Sequence, residues 1–102
     1  MFARVSTLQG HASEVDEGIR HVREDVLPKV AQMDGYKGAY LLVDRQNGES
    51  VSVTLWESEE AMRTSEEAAS RLRDDSAGSL GAQIASVKRY EVAVTSEEAS
   101  SR

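Results

Sequence analysis

The chain has no cysteine, one proline, one tryptophan and one phenylalanine among 102 residues. The missing cysteine removes disulfides, thiolate metal ligands and cysteine nucleophiles together, and it suits a reducing compartment. Basic residues are in the minority, 12 against 18 acidic ones, for a net charge of −6. Phosphate backbones and anionic membrane surfaces repel such a chain, so neither nucleic acid nor membrane is an expected partner. No long apolar run occurs: residues 1–10 alternate and carry a single basic side chain, which fits neither a signal peptide nor a membrane span. A cytoplasmic, soluble protein is expected. Only two histidines are present, His11 and His21, with no companions at metal-ligand spacing, so no metal site is expected. Gly78 and Gly81 lack the strand-to-helix context and the Lys-Ser/Thr pair of a phosphate loop.

What remains is enough for one domain that can fold without staples. Phe2 to Leu8 alternates with period two, the pattern of a half-buried strand. Ser13 offers an N-cap, and Val15, Ile19, Val22, Val26 and Val30 then form one apolar helical stripe, with Pro28 expected to disturb its last turn. Tyr36 to Arg45 reads as a second strand. Asn47-Gly48 signals a hairpin into a third, Glu49 to Trp56. Ser58 caps a second helix with Glu59 and Glu60 in its first turn. Its inner face is expected to hold Ala61, Met62, Ser65, Ala68, Ala69 and Leu72. Asp74 to Gln83 reads as a loop, Ile84 to Val94 as the fourth strand, and Thr95 to Arg102 as a polar tail. The domain is thus expected over residues 1–94, with a tail over 95–102.

This βαββαβ order is the split β-α-β, ferredoxin-like α+β arrangement: a four-stranded antiparallel sheet with two helices on one face. The other face is expected to carry Arg4, Ser6, Tyr40, Leu42, Ser52, Thr54, Trp56, Tyr90 and Val92. That mixture is too apolar for water and too polar for an ordinary core. A second copy would cover it, giving a homodimer whose sheets pack as a dimeric α/β barrel.

Four stretches carry a family resemblance: Leu27-Pro28, Gly35-Tyr36-Lys37-Gly38, Leu41-Leu42-Val43-Asp44-Arg45 and Trp56-Glu57-Ser58-Glu59-Glu60-Ala61. Over about Met1 to Val94 the chain resembles the antibiotic biosynthesis monooxygenase domain family. The resemblance implies a dimeric α/β barrel and a cofactor-independent monooxygenase acting on a small aromatic or polyketide-like substrate. In that branch tryptophan, asparagine, tyrosine and arginine side chains hold a phenol between sheet and helices. Trp56 matches the tryptophan, Ser52 stands at the asparagine, Met62 at the tyrosine, and Arg71 or Arg73 lies near the arginine. The haem-degrading branch uses a strand asparagine, a helix tryptophan and a late histidine. Here those positions fall at Ser6, Thr7 or Leu8, near Ser65, and near Asp75, so no cofactor is expected.

Each candidate has a plainer alternative. Trp56 is either a structural plug or a pocket wall for an aromatic ligand. Tyr40 and Tyr90, read as lying on facing strands, either orient a ligand and donate protons or serve as interface aromatics. Arg4 needs a partner for its charge: an intersubunit carboxylate such as Glu91 or Asp44, or an anionic or enolate substrate. His21 is a candidate general base or a surface histidine. Met62 packs the core or gates a helix–sheet cavity. Three functions follow: a cofactor-free oxygenase using His21, Tyr40 and Tyr90 with Trp56, Arg4, Met62 and Ser52 around the substrate; a non-catalytic dimer that binds a small ligand or serves as an accessory protein; or an interaction module whose acidic surface docks a basic partner.

Overall fold

The structure, a computed structural model, describes residues 1–96. Four strands form one antiparallel sheet in the order β2-β3-β1-β4: β1 (Phe2–Gln9), β2 (Tyr36–Asp44), β3 (Glu49–Trp56) and β4 (Gln83–Glu91). Helices fill both crossovers. After β1 come a 3₁₀ turn (Ala12–Glu14), α1 (Val15–His21), a π-helical stretch (Val22–Val26) and α2 (Leu27–Val30). Between β3 and β4 run α3 (Glu59–Thr64) and α4 (Glu66–Leu80). The expected βαββαβ order therefore stands, with the helices on one face of the sheet. Of the expected tail, residues 97–102 lie outside the described residues.

Three local expectations change. Ser13 does not cap a helix; it lies inside the 3₁₀ turn, and neither that turn nor α1 has a side-chain cap. The disturbance due to Pro28 spreads upstream: its missing N–H leaves the preceding carbonyls without an i→i−4 donor, and the chain widens into the π stretch. Asp74 to Leu80 is helix rather than loop, because Gly78 weakens α4 without breaking it. The helix stops at Gly81, whose φ of 65° takes the left-handed C-terminal position, and Ala82 N–H closes on Ala77 O at 2.8 Å. Strand β4 accordingly begins one residue early and ends at Glu91 rather than Val94; Val92 N–H still donates to Met1 O at 2.8 Å.

The larger correction concerns which face is which. Trp56 is fully buried under the helices, beside Val30 and Met62. Ser50, Ser52 and Thr54 are in phase with Trp56, so burying the indole turns them inward too. Cross-strand pairing brings Arg4 and Ser6 along, opposite Thr54 and Ser52. Arg4, Ser6, Ser52, Thr54 and Trp56 therefore face the helices, contrary to expectation. The alternate set faces away: Val51, Val53 and Leu55 of β3, Val5 of β1, and the exposed Tyr40, Leu42 and Tyr90. The more apolar face of β3 is thus the one without a helix over it.

The β2–β3 turn requires a glycine. Gly48 in the β2–β3 turn has φ +79°, and a Cβ there would lie 2.7 Å from Ala12 N and Gly10 O. The turn is pressed against the β1–α1 connection, and Gly10 N–H donates to Gly48 O at 3.0 Å. Gly48→Ala is expected to destabilise by about 2 kcal/mol or more through left-handed strain and overlap, lowering Tm by roughly 8 °C. Gly78→Ala should do the opposite, because nothing lies within 4 Å of its would-be Cβ. A gain of about 0.5–1 kcal/mol is expected from helix propensity. Paired thermal melts check both signs.

Candidate functional site

Arg4 organises the layer between sheet and helices. Its side chain is 2% exposed, and its guanidinium lies 5.3 Å from the Trp56 ring centroid. Nη2 donates to Met62 O and to Ser65 Oγ, both at 2.7 Å, and Nε donates to Glu66 Oε2 at 3.2 Å. Met62 O also accepts from Ser65 Oγ at 2.8 Å. A carbonyl engaged this way is drawn out of the helical ladder, which accounts for the break at Ser65 between α3 and α4. Glu66 is shared with Arg89, the cross-strand neighbour of Arg4, through bonds of 2.6 and 2.7 Å. Arg4 therefore pairs within its own chain, with Glu66, rather than with Glu91 or Asp44.

The two ends of this ion pair respond differently to burial. The hydrogen bond from Arg89, helped by Arg4, holds the Glu66 carboxyl down at about 2 despite opposing desolvation. For Arg4 desolvation outweighs the attraction of Glu66, and nearby Arg73 and Arg89 add repulsion, so its pKa falls below the ordinary arginine value. The indole is held independently: Trp56 Nε1 donates to Thr54 Oγ1 at 3.0 Å, and Tyr36 packs edge-on at 6.2 Å between centroids.

Beside this cluster lies a cavity of about 170 Å³ between sheet and helices. Its floor is hydroxyl-rich: Ser6, Ser50, Ser52 and Thr54, with Leu41 and Val43 alongside. Its roof is aliphatic, from Val15, Ile19 and Val22 on one side and Leu72 and Leu80 of α4 on the other. Two polar groups of α4 border it as well, Arg73 and Ser76. Behind Ser76 stands His21, whose Nε2 is 2.9 Å from Ser76 Oγ and whose Nδ1 is 3.2 Å from Asp25 Oδ2.

The seven residues singled out from sequence separate into groups. Arg4 and Ser52 border the cavity, and Tyr40 belongs to the β2 segment beside it while remaining 53% exposed. His21 meets the cavity through Ser76. Trp56 and Met62 are core residues; Met62 also borders a shallow groove with Glu66 and Arg89. Tyr90 is half exposed on the far face. Tyr40 and Tyr90 are not on facing strands: β2 and β4 are the two edges of the sheet, three strand spacings or roughly 14 Å apart. His21, Tyr40 and Tyr90 are therefore not brought together within one chain. Sequence reading passed over Glu66, Ser76 and Asp25. The signal for Ser76 is the continuation of the stripe Ala69, Leu72, Arg73, Ser76 and Leu80 past Asp74, where the glycines suggest a loop.

The fold and the helix–sheet cavity define a ferredoxin-like domain with a small-molecule-sized site between its layers. Residues 1–73 match the sequence model described as antibiotic biosynthesis monooxygenase, and the chain belongs to that family. An uncharacterized protein of Mycobacterium tuberculosis is 41% identical over 93 residues, covering 91% of this chain and 41% of the relative. The chain thus spans about two fifths of that relative's length. Three solved structures share the fold. A Streptomyces coelicolor monooxygenase, solved with the ligand nanaomycin D, has a TM-score of 0.69 at 18% identity, over 92% of this chain and 89% of that one. A cofactor-independent oxygenase of Streptomyces nogalater has a TM-score of 0.66 at 15% identity, over 93% and 95%. A dimeric ferredoxin-like protein from an uncultured marine organism has a TM-score of 0.68 at 13% identity, over 93% and 97%. Among the described residues, no helix is long and apolar enough to cross a membrane.

The shared carboxylate makes an acid-dependent prediction. Because the folded-state pKa of Glu66 is depressed to about 2 from 4.5, its contribution is full above the ordinary carboxylate range and is lost as pH falls toward 2. Glu66→Gln should cost about 1–3 kcal/mol at pH 7. In urea melts this difference from the parent chain should shrink below about pH 4 and vanish near pH 2. A pH-independent difference would contradict the assignment.

Proposed function

We propose that this chain is a cofactor-independent monooxygenase acting on a small aromatic substrate, and that it works as a homodimer. The observation that carries this reading is the cavity, with an aliphatic roof to exclude water and hydroxyls below to orient a phenol. Deprotonating a phenol yields an electron-rich anion that can react with oxygen directly. The protein then has to supply a base, hydrogen-bond donors and a dry site. His21 stands behind Ser76 as the base, and Ser52, Ser6 and Arg73 are the donors at the cavity wall. The fold shared with oxygenases supports the same direction.

Volume narrows the substrate class. A cavity of about 150 Å³ accommodates one benzene ring, so the 170 Å³ here suits a single ring better than a fused polyketide-like system. Oxygen uptake should therefore exceed the buffer rate with alkyl hydroquinones and fall away with anthrones or dihydroanthraquinones. Val22→Phe, which extends into the cavity from its roof, should abolish uptake while leaving the fold intact. Absence of uptake across both substrate sets would reject the oxygenase reading.

The second reading, a non-catalytic small-ligand-binding or accessory protein, has its own support: Trp56 and Met62, aligned with family substrate residues, are core residues. It requires ligand-induced thermal stabilisation without turnover.

The homodimer rests on the helix-free face of the sheet, where Val51, Val53 and Leu55 sit beside Tyr40 and Leu42, 53% and 54% exposed. Apolar residues facing outward on a sheet whose serines face inward call for a cover. A second copy, sheet against sheet, provides one with two-fold symmetry. Sedimentation at micromolar concentration should give twice the chain mass, and Leu42→Lys should reduce it to one.

A further inference from the structure

We infer that Ser76, His21 and Asp25 form a nucleophilic relay at the cavity wall, able to accept an acyl group from a small ester. The relay shares the cavity and His21 with the oxygenase reading, and adds to them the Ser76–His21–Asp25 geometry. Ser76 of α4 borders the cavity, and the residue is 8% exposed. His21 Nε2 approaches it to 2.9 Å, and Asp25 Oδ2 stands 3.2 Å from Nδ1. A nucleophile within hydrogen-bond reach of a base, itself oriented by a third group, is the recurring constellation of covalent acyl transfer.

The proton arrangement can be worked through. Ser76 Oγ has two possible acceptors, Leu72 O at 2.8 Å and His21 Nε2. In a plain helical serine the hydroxyl back-bonds to the carbonyl four residues earlier. Here the Asp25 carboxylate can only accept, so neutral His21 places its proton on Nδ1 and leaves Nε2 bare. With Nε2 bare, the hydroxyl proton that Ser76 donates to Leu72 O can turn to His21 instead, which frees the Oγ lone pairs for attack. The π stretch Val22–Val26 begins directly after His21 and contains Asp25. Such widened turns inside helices concentrate at functional sites. Arg73, one helical turn before Ser76, borders the same cavity. It has no hydrogen-bond or ion-pair partner among the described residues, so its guanidinium is available to a developing oxyanion.

The step balances without an oxidant or reductant. Oγ bonds to the carbonyl carbon of the ester as its proton passes to His21 Nε2. The bond from that carbon to the alkoxy oxygen then breaks, and the alcohol leaves with the same proton. Water repeats the sequence, releasing the carboxylic acid and restoring Ser76. His21 is the general base and acid; Asp25 is a positioning residue.

The test uses the full chain with a small alkyl fluorophosphonate, the adduct being located by peptide mass spectrometry, alongside p-nitrophenyl acetate turnover. The expected result is one adduct on Ser76. His21→Asn should slow its formation by roughly 100-fold or more, and Asp25→Asn by about tenfold, with circular dichroism confirming that both variants are folded. A structural tie between helices would hold Ser76 in place yet leave it unreactive. No adduct on Ser76 in the unmodified chain overturns the proposal. So does a labelling rate unchanged in folded His21→Asn. The unmodified chain decides the first point even if a variant fails to fold, and neither result depends on oxygen uptake.

Discussion

A guanidinium taken almost wholly out of water must be satisfied on every side, and the arrangement around Arg4 follows from that constraint. Its neighbours are an indole face, a helix carbonyl, a serine hydroxyl and a carboxylate. Meeting them divides the second crossover into α3 and α4, places Ser65 at the junction and draws Glu66 over the sheet to Arg89. The helices are thereby fixed to β1 and β4 by polar contacts at one end of the sheet. Toward the other end, hydroxyls rather than large apolar side chains form the floor, and the layers do not close. The cavity lies in that space.

The same layer explains why fold and chemistry separate here. Trp56 and Met62 occupy positions where the family resemblance implies substrate contacts, yet both belong to the core beneath α3. Several of the polar groups that border the cavity, among them Ser6, Ser52, Arg73 and Ser76, come from strand and helix faces whose composition alone suggests surface. One fold thus presents a cavity of family type with a different set of walls, and with His21 and Asp25 stationed behind one of them.

Element order was legible in the sequence because it rests on periodicity and turn chemistry. The alternation of β1, the Asn47-Gly48 turn and the Ser58 cap, which accepts from Ala61 N–H at 3.0 Å, each act locally. Facing was not legible. Period two separates Val51, Val53 and Leu55 from Ser50, Ser52 and Thr54 but does not say which set meets the helices. Ordinary burial would turn the valines inward; Trp56, in phase with the serines, turns them out. The end of α4 is hidden for a related reason: Gly78 and Gly81 look alike in sequence, and of the two only Gly81 needs a positive φ. Glu66 looked like half of an acidic surface pair with Glu67, because its two arginine partners are 62 and 23 residues away. His21 and Asp25 were visible at helical spacing, whereas Ser76 reaches them only through tertiary packing.

The dependence of this layer on one buried ion pair is most directly tested by a double-mutant cycle on Arg4→Met and Glu66→Gln, read by urea denaturation at pH 7. A coupling energy of about 1–3 kcal/mol is predicted for residues sharing one desolvated network. Effects that add to within about 0.5 kcal/mol would contradict it, and would mean that packing around Trp56, not the charge pair, holds the helices on the sheet.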